Sequence, residues 1–473
     1  MSQARPPRVA VLGAGITGLS AAYELARLSR RSRAPLELVV LEAADRVGGK
    51  VLTETYEGIS LEAGPDSFIT LKPHALELVR ELGLSEELLK THPTCKTVYA
   101  WRGGRLEPFP DGSLVPPRLT AFMTSRLLSW RGKLRMALEP FIPAKAGGED
   151  ESIGAFVRRR FGPEVLENIL GPVLGGIYAG DCDRLSLEST FPQLKAMELR
   201  GSLLMAAARA RPRLMGDGAT TMFMTLKGGL CKLTGALAQR LAPQTLRTGA
   251  AVRSLFRRGG AWAAEGPAGS WTADAVICAL PAWAVADALE GFDPELAGVL
   301  REIPFVSTAT ASLVYQGEGF PALEGYGFVV PRAEGKALTA ATYTSAKFPG
   351  RVPERAVVIR AFLGGAGREE IVEAGEPVIA RAARSELREM LGLGERHPKT
   401  TRVTRWLKAN PQYTVGHALR LKRIESCLQG HPGLVLAGCS YRGVGLADCI
   451  RSGREAAEMA FKGLQGQSPG GIA

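Results

Sequence analysis

The stretch Val9-Ala-Val-Leu-Gly-Ala-Gly-Ile-Thr-Gly18 decides the fold class of this chain. It joins four β-forming residues to a segment, Ile16 to Leu28, with apolar residues at helical spacing. Leu36–Leu41 is again β-like, so the order strand, helix, strand predicts a βαβ unit. A glycine-rich turn at the start of such a helix presents backbone N–H groups to a dinucleotide pyrophosphate. We therefore assign the turn to a dinucleotide cofactor: Gly13, Ala14, Gly15, Ile16, Thr17 and Gly18.

An acidic residue ends the second β-like segment. Glu42 follows Gly18 by 24 residues, near the ~20 expected for the carboxylate that binds the adenosine ribose hydroxyls. It begins the segment Glu42-Ala-Ala-Asp-Arg-Val-Gly-Gly-Lys50, which resembles the extension typical of amine oxidase-like flavoproteins. The arginine can offset pyrophosphate charge and the glycines allow close backbone approach, whereas the alternative is an exposed Asp-Arg turn. We assign this set to the cofactor: Glu42, Ala43, Arg46, Gly48, Gly49 and Lys50.

Two further segments point to a flavin. Glu62-Ala-Gly-Pro-Asp-Ser-Phe68 resembles the flavin-proximal segment of porphyrinogen oxidases, although an ordinary Gly-Pro turn would look similar. Gly438 to Gly453 is a glycine-rich turn that opens a helix, and such a helix start aims N–H groups and a positive dipole end at a bound group. Together with the N-terminal motif this favours FAD, to which we assign Gly64, Pro65, Asp66, Ser67, Val444, Gly445 and Leu446.

The composition excludes several classes of protein. With 473 residues, 45% hydrophobic and 22% charged, the chain is neither disordered nor collagen-like. The seven cysteines include no Cys-x-x-Cys pair, and the five histidines lack metal-ligand spacing, so we expect neither a disulfide framework nor a metal site. The N-terminus has no apolar signal segment, and the longest uncharged apolar stretch, Ala275 to Ala286, is shorter than the ~20 residues of a spanning helix. We expect a cytoplasmic protein.

These patterns predict an α/β fold. We expect a discontinuous Rossmann-like FAD-binding domain at 1–70, 222–300 and 430–473, a mixed-sheet α+β substrate domain at 71–91 and 301–429, and a helical insertion at 92–221. A long helix is expected at about 368–391. The tail Gly466–Ala473 is expected to be disordered.

Taken together, these motifs resemble those of the FAD-dependent, oxygen-linked protoporphyrinogen oxidases and of their bacterial relatives that oxidise coproporphyrinogen III. The resemblance extends over nearly the whole chain. Segments that general amine oxidases lack also carry it: Gly175 to Asp181 with Leu185-Ser186 and Phe191-Pro192, Gly325 to Pro331, and Trp406 to Tyr413 with Gly416-His417. The resemblance implies a non-covalently bound FAD and three two-electron steps that convert a porphyrinogen to a porphyrin in haem synthesis.

The resemblance also implies roles for single residues. The reaction has no dedicated side-chain base, and the backbone carbonyl of Gly176, next to Gly175, orients the pyrrole N–H groups of the substrate. Tyr326 and Val329 would pack on the substrate rings, where some family members carry Phe and Leu. Without the resemblance, the glycine pair has a simple helix break as its alternative, and the tyrosine is equally well a core residue. Val252 and Trp406 are assigned to the cofactor.

The sequence identifies the cation that pairs with the substrate propionates less clearly. Plant and animal relatives carry an arginine near the position of Asp111, but here the first arginine that follows is Arg118, which we assign to the substrate. This departure leaves propionate recognition open and suits the different side chains of coproporphyrinogen.

The partners follow from charge and from the number of nucleotide motifs. The chain carries a single Gly-x-Gly-x-x-Gly, so we expect no NAD(P)H domain and take molecular oxygen, or another small acceptor, as the electron acceptor. The net charge of +12 suits an acidic substrate, and no motif supports a nucleic-acid partner. Residues 118–160 hold nine Lys and Arg against four Asp and Glu. They form either a solvated helical face or a contact with an anionic membrane surface or with the next enzyme of haem synthesis.

Two other functions remain open at this point. The nearest enzyme alternative is an amine oxidase or a carotenoid desaturase built on the same scaffold. The non-enzyme alternative is a basic membrane or nucleic-acid binder that keeps FAD as a structural group.

Overall fold

The N-terminal βαβ unit lies at the centre of a parallel sheet in the computed structural model, which describes residues 5–93, 97–109, 123–145, 147–209, 221–466 and 470–473. Its strands are β1 Arg8–Leu12, β2 Glu37–Leu41, β3 Thr53–Tyr56, β4 Ile59–Glu62, β5 Phe68–Ile69, β6 Leu88–Lys90, β7 Val98–Arg102, β8 Arg105–Pro108, β9 Phe223–Leu226, β10 Leu246–Arg247, β11 Ser254–Arg258, β12 Ala261–Gly266, β13 Gly269–Ala273, β14 Ala275–Cys278, β15 Phe305–Gln316, β16 Gly327–Val329, β17 Leu338–Tyr343, β18 Ala356–Gly364, β19 Thr400–Pro411, β20 Leu434–Leu436 and β21 Gly471–Ile472.

Helices connect and cover these strands. The α-helices are α1 Ile16–Ser32, α2 His74–Glu81, α3 Trp130–Ala137, α4 Ile153–Phe161, α5 Pro163–Val165, α6 Gly171–Tyr178, α7 Leu187–Thr190, α8 Pro192–Glu198, α9 Leu203–Arg209, α10 Cys231–Gln239, α11 Ala282–Leu289, α12 Pro294–Arg301, α13 Thr344–Lys347, α14 Glu370–Glu373, α15 Glu376–Leu391, α16 His417–Leu428 and α17 Leu446–Leu464. A π-helical turn, Leu166–Leu170, joins α5 to α6. Short 3₁₀ turns lie at Ser85–Glu87, Glu139–Phe141, Pro243–Thr245 and Arg332–Glu334.

The six-stranded sheet has the order β10-β2-β1-β14-β20-β21, and every pair in it is parallel. Val9 and Val11 of β1 belong to the core cluster that includes α1 and α17, whereas Ala10 and Leu12 belong to the cluster on the other face, with α11, α12 and the β11-β12-β13 sheet. Both faces of the sheet are therefore covered, as the near-continuous apolar strands require.

The seven-stranded sheet has the order β19-β15-β18-β17-β16-β7-β8. It is mixed, because β16 pairs parallel with β7 while the remaining pairs are antiparallel. Ala309, Ala311 and Leu313 of β15 pack in a core cluster with α15. The alternate residues of the strand, such as Thr308 and Thr310, face the opposite side, where the candidate site lies.

Helices α3 to α9 span 130–209, mostly around one apolar core that includes Phe156, Ile169 and Leu174. Within the range expected for the helical insertion, β7 and β8 instead extend the seven-stranded sheet. The domain bounds given above stay predictions. No helix within the described ranges has the length and apolar character to cross a membrane.

Two sequence expectations were wrong. The helix expected at about 368–391 is divided into α14 and α15, because Gly375 between them has φ +93° and Pro377 lies in the first turn of the second helix. The tail is ordered where it is described: β21 pairs with β20, and Ile472 and Ala473 are buried. The tail pairs through its backbone with the edge of the sheet, and its glycine-rich sequence has no alternation of apolar and polar residues that would have predicted a strand.

Candidate active site

The turn between β1 and α1 uses its three glycines in three different ways. Gly13 has φ +97°, which residues with side chains rarely adopt. A Cβ on Gly18 would lie 1.9 Å from the carbonyl oxygen of Gly13, so only glycine lets α1 pack against the turn. A Cβ on Gly15 would meet nothing closer than the Cα of Gly49 at 4.0 Å, so the space beside it is open. Because α1 begins without a side-chain cap, its first N–H groups can bind a phosphate.

The segment that starts at Glu42 lies directly against this turn. The N–H of Gly48 donates to the carbonyl of Ala14 at 2.8 Å. The Glu42 carboxylate accepts the N–H groups of Ala14 at 2.7 Å and of Ala44 at 2.9 Å. One carboxylate thus ties the end of β2 to the glycine turn, and each oxygen keeps a lone pair for the predicted ribose contact. Arg46 donates to the carbonyl of Gly49 at 3.0 Å.

The C-terminal glycine motif provides a second helix start. Gly443 has φ +96°, and a Cβ there would lie 2.5 Å from the carboxyl carbon of Asp448. Asp448 in turn pairs with Lys72 at 2.6 Å. Gly445 precedes α17 without a side-chain cap, so the first N–H groups of this helix also remain available to a bound group.

A cavity of about 300 Å³ lies where these segments meet the seven-stranded sheet. The sheet contributes Thr308, Thr310, Arg360 and Phe362 to its wall. The open space at Gly15 and the two uncapped helix starts fit a phosphate-bearing cofactor with a flat ring system. Nine residues assigned from sequence line the cavity together: Ile16, Lys50, Gly64, Pro65, Gly175, Gly176, Trp406, Val444 and Leu446.

The glycine pair 175–176 lies inside α6 and does not break it. A Cβ at either position would meet no atom within 4 Å. Since glycine in a helix costs about 0.5–1 kcal/mol relative to alanine, its benefit here is the space that it leaves in the cavity. Gly176 also lies in the last turn of the helix. The capping N–H of Ala179 binds the carbonyl of Gly175, and the carbonyl groups that follow have no partner within the helix. The predicted role of its carbonyl is consistent with this position.

The ionisable groups on the cavity wall are few. Among the described residues that line it, they are Lys50, Arg360, Cys439 and Cys449, and none is an aspartate, a glutamate or a histidine. The described wall of this cavity is thus apolar and cationic rather than acidic.

Lys50 holds one end of the cavity together. Its Nζ donates to the carbonyl of Ala409 at 2.6 Å and lies 3.3 Å from Sγ of Cys439. A hydrogen bond from Cys449, opposed by burial and aided by the Lys50 ammonium, lowers the pKa of Cys439. The cavity thus has a cation and a thiol of increased acidity side by side.

A buried charge cluster supports the Gly64-Pro65 segment from behind. Arg360 donates to the carbonyl groups of Ala63 and Gly64. Asp66 accepts from Lys347 at 3.2 Å. Although burial alone would raise the pKa of Asp66, the charges of Lys347 and Arg360 hold it well below its usual value. Sequence reasoning missed Arg360 and Lys347, and the available signal for the former was a single arginine inside the apolar strand β18.

His417 supports the C-terminal glycine motif. Its ring stacks on Tyr413 at 4.2 Å between centroids, and its Nε2 lies 2.9 Å from the carbonyl oxygen of Tyr441. Tyr413 donates to the carbonyl of Cys439 at 2.6 Å. Burial lowers the pKa of His417 to about 4, so the ring is neutral at pH 7 and donates through Nε2.

This histidine makes folding stability depend on pH. An unfolded histidine titrates near ~6.5, whereas folded His417 titrates at about 4. Between these values the unfolded chain binds more protons, so the free energy of unfolding falls as the pH falls from ~6.5, by about 3 kcal/mol in all. We expect His417→Gln to lose most of this dependence in urea denaturation at pH 7 and pH 4.5. His397→Gln, at an exposed histidine, is the control. An equal change in the free energy of unfolding between the two pH values for the wild type and His417→Gln would contradict the prediction.

Other assigned residues lie away from the cavity wall. Ser67 donates to Asp66 at 2.6 Å, behind the Gly64-Pro65 segment. Val329 is buried in the apolar core of the helical region, and Tyr326 is half-buried outside the cavity lining. Of the other assigned cofactor residues off this wall, Thr17 is buried, Ala43 is exposed and Val252 packs against the core below the parallel sheet. Arg118 lies outside the described residues. The roles of these residues stay predictions.

Comparison with known proteins identifies the class. The chain belongs to the flavin containing amine oxidoreductase family, whose profile matches residues 16–460. The predicted α/β flavoprotein fold and the flavin-dependent oxidoreductase class are therefore confirmed. The fold is shared at a TM-score of 0.67 with cyclohexylamine oxidase of Brevibacterium oxydans IH-35A, which is 18% identical and covers 98% of this chain and 100% of that one.

Within the family, several relatives of this chain are named as porphyrinogen oxidases. The chain is 37% identical to coproporphyrinogen III oxidase of Bacillus subtilis (strain 168), over 96% of this chain and 97% of that protein. It is 33% identical to protoporphyrinogen oxidase of Homo sapiens, over 95% of this chain and 97% of the human protein. The crystal structure of an Exiguobacterium sp. 255-15 protein named as a protoporphyrinogen oxidase has a TM-score of 0.86 at 31% identity. The match covers 98% of this chain and 99% of that one.

Proposed function

We propose that this chain oxidises coproporphyrinogen III to coproporphyrin III in haem synthesis, with protoporphyrinogen IX as a second substrate. The cofactor is a non-covalently bound FAD, and molecular oxygen is the electron acceptor. The 37% identity to the Bacillus subtilis enzyme over nearly the full length supports the substrate class. The glycine turn and Glu42 support a dinucleotide rather than a mononucleotide, because Glu42 lies where an adenosine ribose is bound in such folds.

The observation that carries the proposal is the cavity lining, in which no described residue is an aspartate, a glutamate or a histidine. A porphyrinogen loses a hydride from a methylene bridge and a proton from elsewhere in the ring system, so it needs an acceptor for the hydride and no strong base. Bound FAD supplies that hydride acceptor. The chain supplies space at Gly175 and Gly176 and, in the last turn of α6, the Gly176 carbonyl, which orients pyrrole N–H groups. Three turnovers remove six hydrogens, and three O₂ become three H₂O₂.

Purified protein tests the proposal directly. We expect porphyrin fluorescence from coproporphyrinogen III in air, three H₂O₂ per porphyrin, and a faster rate than with protoporphyrinogen IX. Release of FAD by heat or acid, identified by chromatography, tests the cofactor and its non-covalent binding. Porphyrin formation no faster than in the enzyme-free blank, with both substrates, would refute the function. H₂O₂ from an amine such as putrescine instead would support the amine oxidase alternative.

We also propose that the helical region contacts an anionic membrane surface. One face of α3 carries Trp130 and Leu134. Leu138 caps the end of this helix, and Phe141 lies in the 3₁₀ turn that follows. Trp130 and Phe141 are 70% and 83% exposed. Arg126 and Arg131 beside them are exposed as well, and Arg131 stacks on the Trp130 ring at 5.4 Å. An apolar stripe with a cationic border matches the boundary between anionic headgroups and acyl chains.

Vesicle sedimentation checks this contact. We expect binding to phosphatidylglycerol vesicles and little to phosphatidylcholine vesicles. The pair Trp130→Ala and Phe141→Ala should weaken binding by about tenfold or more, since each buried side chain contributes about 1.5–3 kcal/mol. Leu419→Ala, at an exposed leucine on α16, is the matched control. Equal binding by the double variant and the control would contradict the proposal.

A further inference from the structure

A second chamber of about 170 Å³ adjoins the main cavity. The two share four wall residues: Gly175, Ala179, Thr339 and Gly364. Three of these have no side chain beyond Cβ, so little material separates the chambers. A group attached to the edge of a flat substrate in the main cavity can therefore extend past α6 into the side chamber.

Two arginines lie together on one wall of this chamber. Arg332 belongs to the 3₁₀ turn after β16, and Arg368 follows the loop Gly364–Gly367 after β18. Nη2 of Arg332 donates to the carbonyl of Ala366, which ties the two segments together. The Arg368 guanidinium has no hydrogen-bond or ion-pair partner among the described residues. Burial, and then the charge of Arg332, lower the pKa of Arg368.

The acidic groups around the chamber are mostly engaged elsewhere. Asp183 forms a two-point ion pair with Arg158, which also lines the chamber, and Asp181 accepts the N–H of Asp183. Glu386, whose charge acts on Arg368, accepts the N–H groups of Ala337 and Leu338 at 2.8 Å each. Glu167 also lines the chamber, and its charge acts on Arg158. A carboxylate that entered from the main cavity would thus find an unpaired guanidinium, partly desolvated, next to a second one.

We propose that Arg368 and Arg332 bind a propionate of the porphyrinogen, in the side chamber, while the macrocycle occupies the main cavity against Gly175 and Gly176. A guanidinium binds a carboxylate through two parallel N–H···O bonds, and the nearby second cation strengthens the interaction. The proposal rests on the proposed function and adds the cation that the sequence left open. It also gives a basis for selectivity, since coproporphyrinogen III has four propionates and protoporphyrinogen IX has two.

The test uses the holoenzyme and the variant Arg368→Gln. We expect KM for coproporphyrinogen III to rise about 10- to 100-fold, the range of a lost charge-assisted hydrogen bond, with kcat within about twofold and unchanged flavin content. Arg368→Lys keeps the charge without the two-point geometry, and its KM should lie between those of the wild type and Arg368→Gln. Arg381→Gln removes the same charge from the exposed face of α15 and should keep the wild-type KM.

A second measurement separates binding from turnover. The holoenzyme is titrated with the product coproporphyrin III and with its tetramethyl ester, which has no free carboxylate. We expect Arg368→Gln to weaken binding of the acid and to leave binding of the ester unchanged. If the wild type turns over and Arg368→Gln has wild-type KM, the subsite is refuted while the function stands. If the wild type forms no porphyrin, the function itself fails.

Discussion

Gly176→Val is expected to abolish porphyrin formation while flavin remains bound. A Cβ at this position meets no atom within 4 Å outside its own stretch of helix, so we expect the helix to accommodate valine with its side chain in the cavity. It would displace the macrocycle from the carbonyl in the last turn of α6, and a misplacement of about 1 Å can lower a rate by ~10²-fold. We expect a fall in kcat/KM of about two orders of magnitude or more, measured by porphyrin fluorescence, with normal flavin absorbance.

The matched control is Gly298→Val. Gly298 is also a helical glycine, in α12, with no atom within 4 Å of an added Cβ, and it is exposed and away from the cavity. It should keep wild-type turnover. Wild-type turnover in Gly176→Val would remove this glycine from the substrate site.

Arg351→Met is expected to destabilise the fold by about 3–5 kcal/mol. Arg351 and Glu62 form a 2.7 Å ion pair with side chains 0% and 2% exposed. Arg351 also donates to Thr225 and to the carbonyl of Asp66. Without the guanidinium, the buried Glu62 carboxylate keeps the hydrogen bonds from Thr53 and from the N–H of Leu230 but loses its ion-pair partner. Urea denaturation measures the loss, and flavin should dissociate at lower urea.

Two variants sharpen this experiment. Arg355→Met changes an exposed arginine four residues away and should cost less than about 0.5 kcal/mol. Glu62→Gln added to Arg351→Met removes the unpaired charge and should recover part of the lost stability, which shows coupling between the two sites. A loss for Arg351→Met no larger than that for Arg355→Met would contradict the prediction.

Local motifs could be predicted from sequence, because their geometry depends on neighbouring residues. The turn at Gly13–Gly18 and the helix start at Gly445 occur as expected. The long sequence separation between the two motifs did not hinder their prediction, because the backbone conformation of each motif is set by its own residues. The flavin class followed from combining the two.

The rest of the site depends on contacts between distant segments. Arg360, Lys347 and Arg351 reach the Glu62–Ser67 segment from about 280 to 300 residues away, and no local periodicity reports such pairing. The same holds for Lys50, whose partners Ala409 and Cys439 are 359 and 389 residues away. Tyr326 and Val329 were placed by resemblance alone, and their contacts with substrate remain predictions.

The parallel sheet has a consequence for the order of folding during synthesis. Its central strand β1 pairs with β14, which in turn pairs with β20 at Leu434–Leu436. By contrast, β15 to β19 are contiguous between 305 and 411 and can pair as soon as they emerge. The cofactor sheet must wait for β20 and α17, more than 400 residues after β1. Until then, the apolar face of α1 lacks the helix that covers it, so this surface stays exposed on a newly made chain.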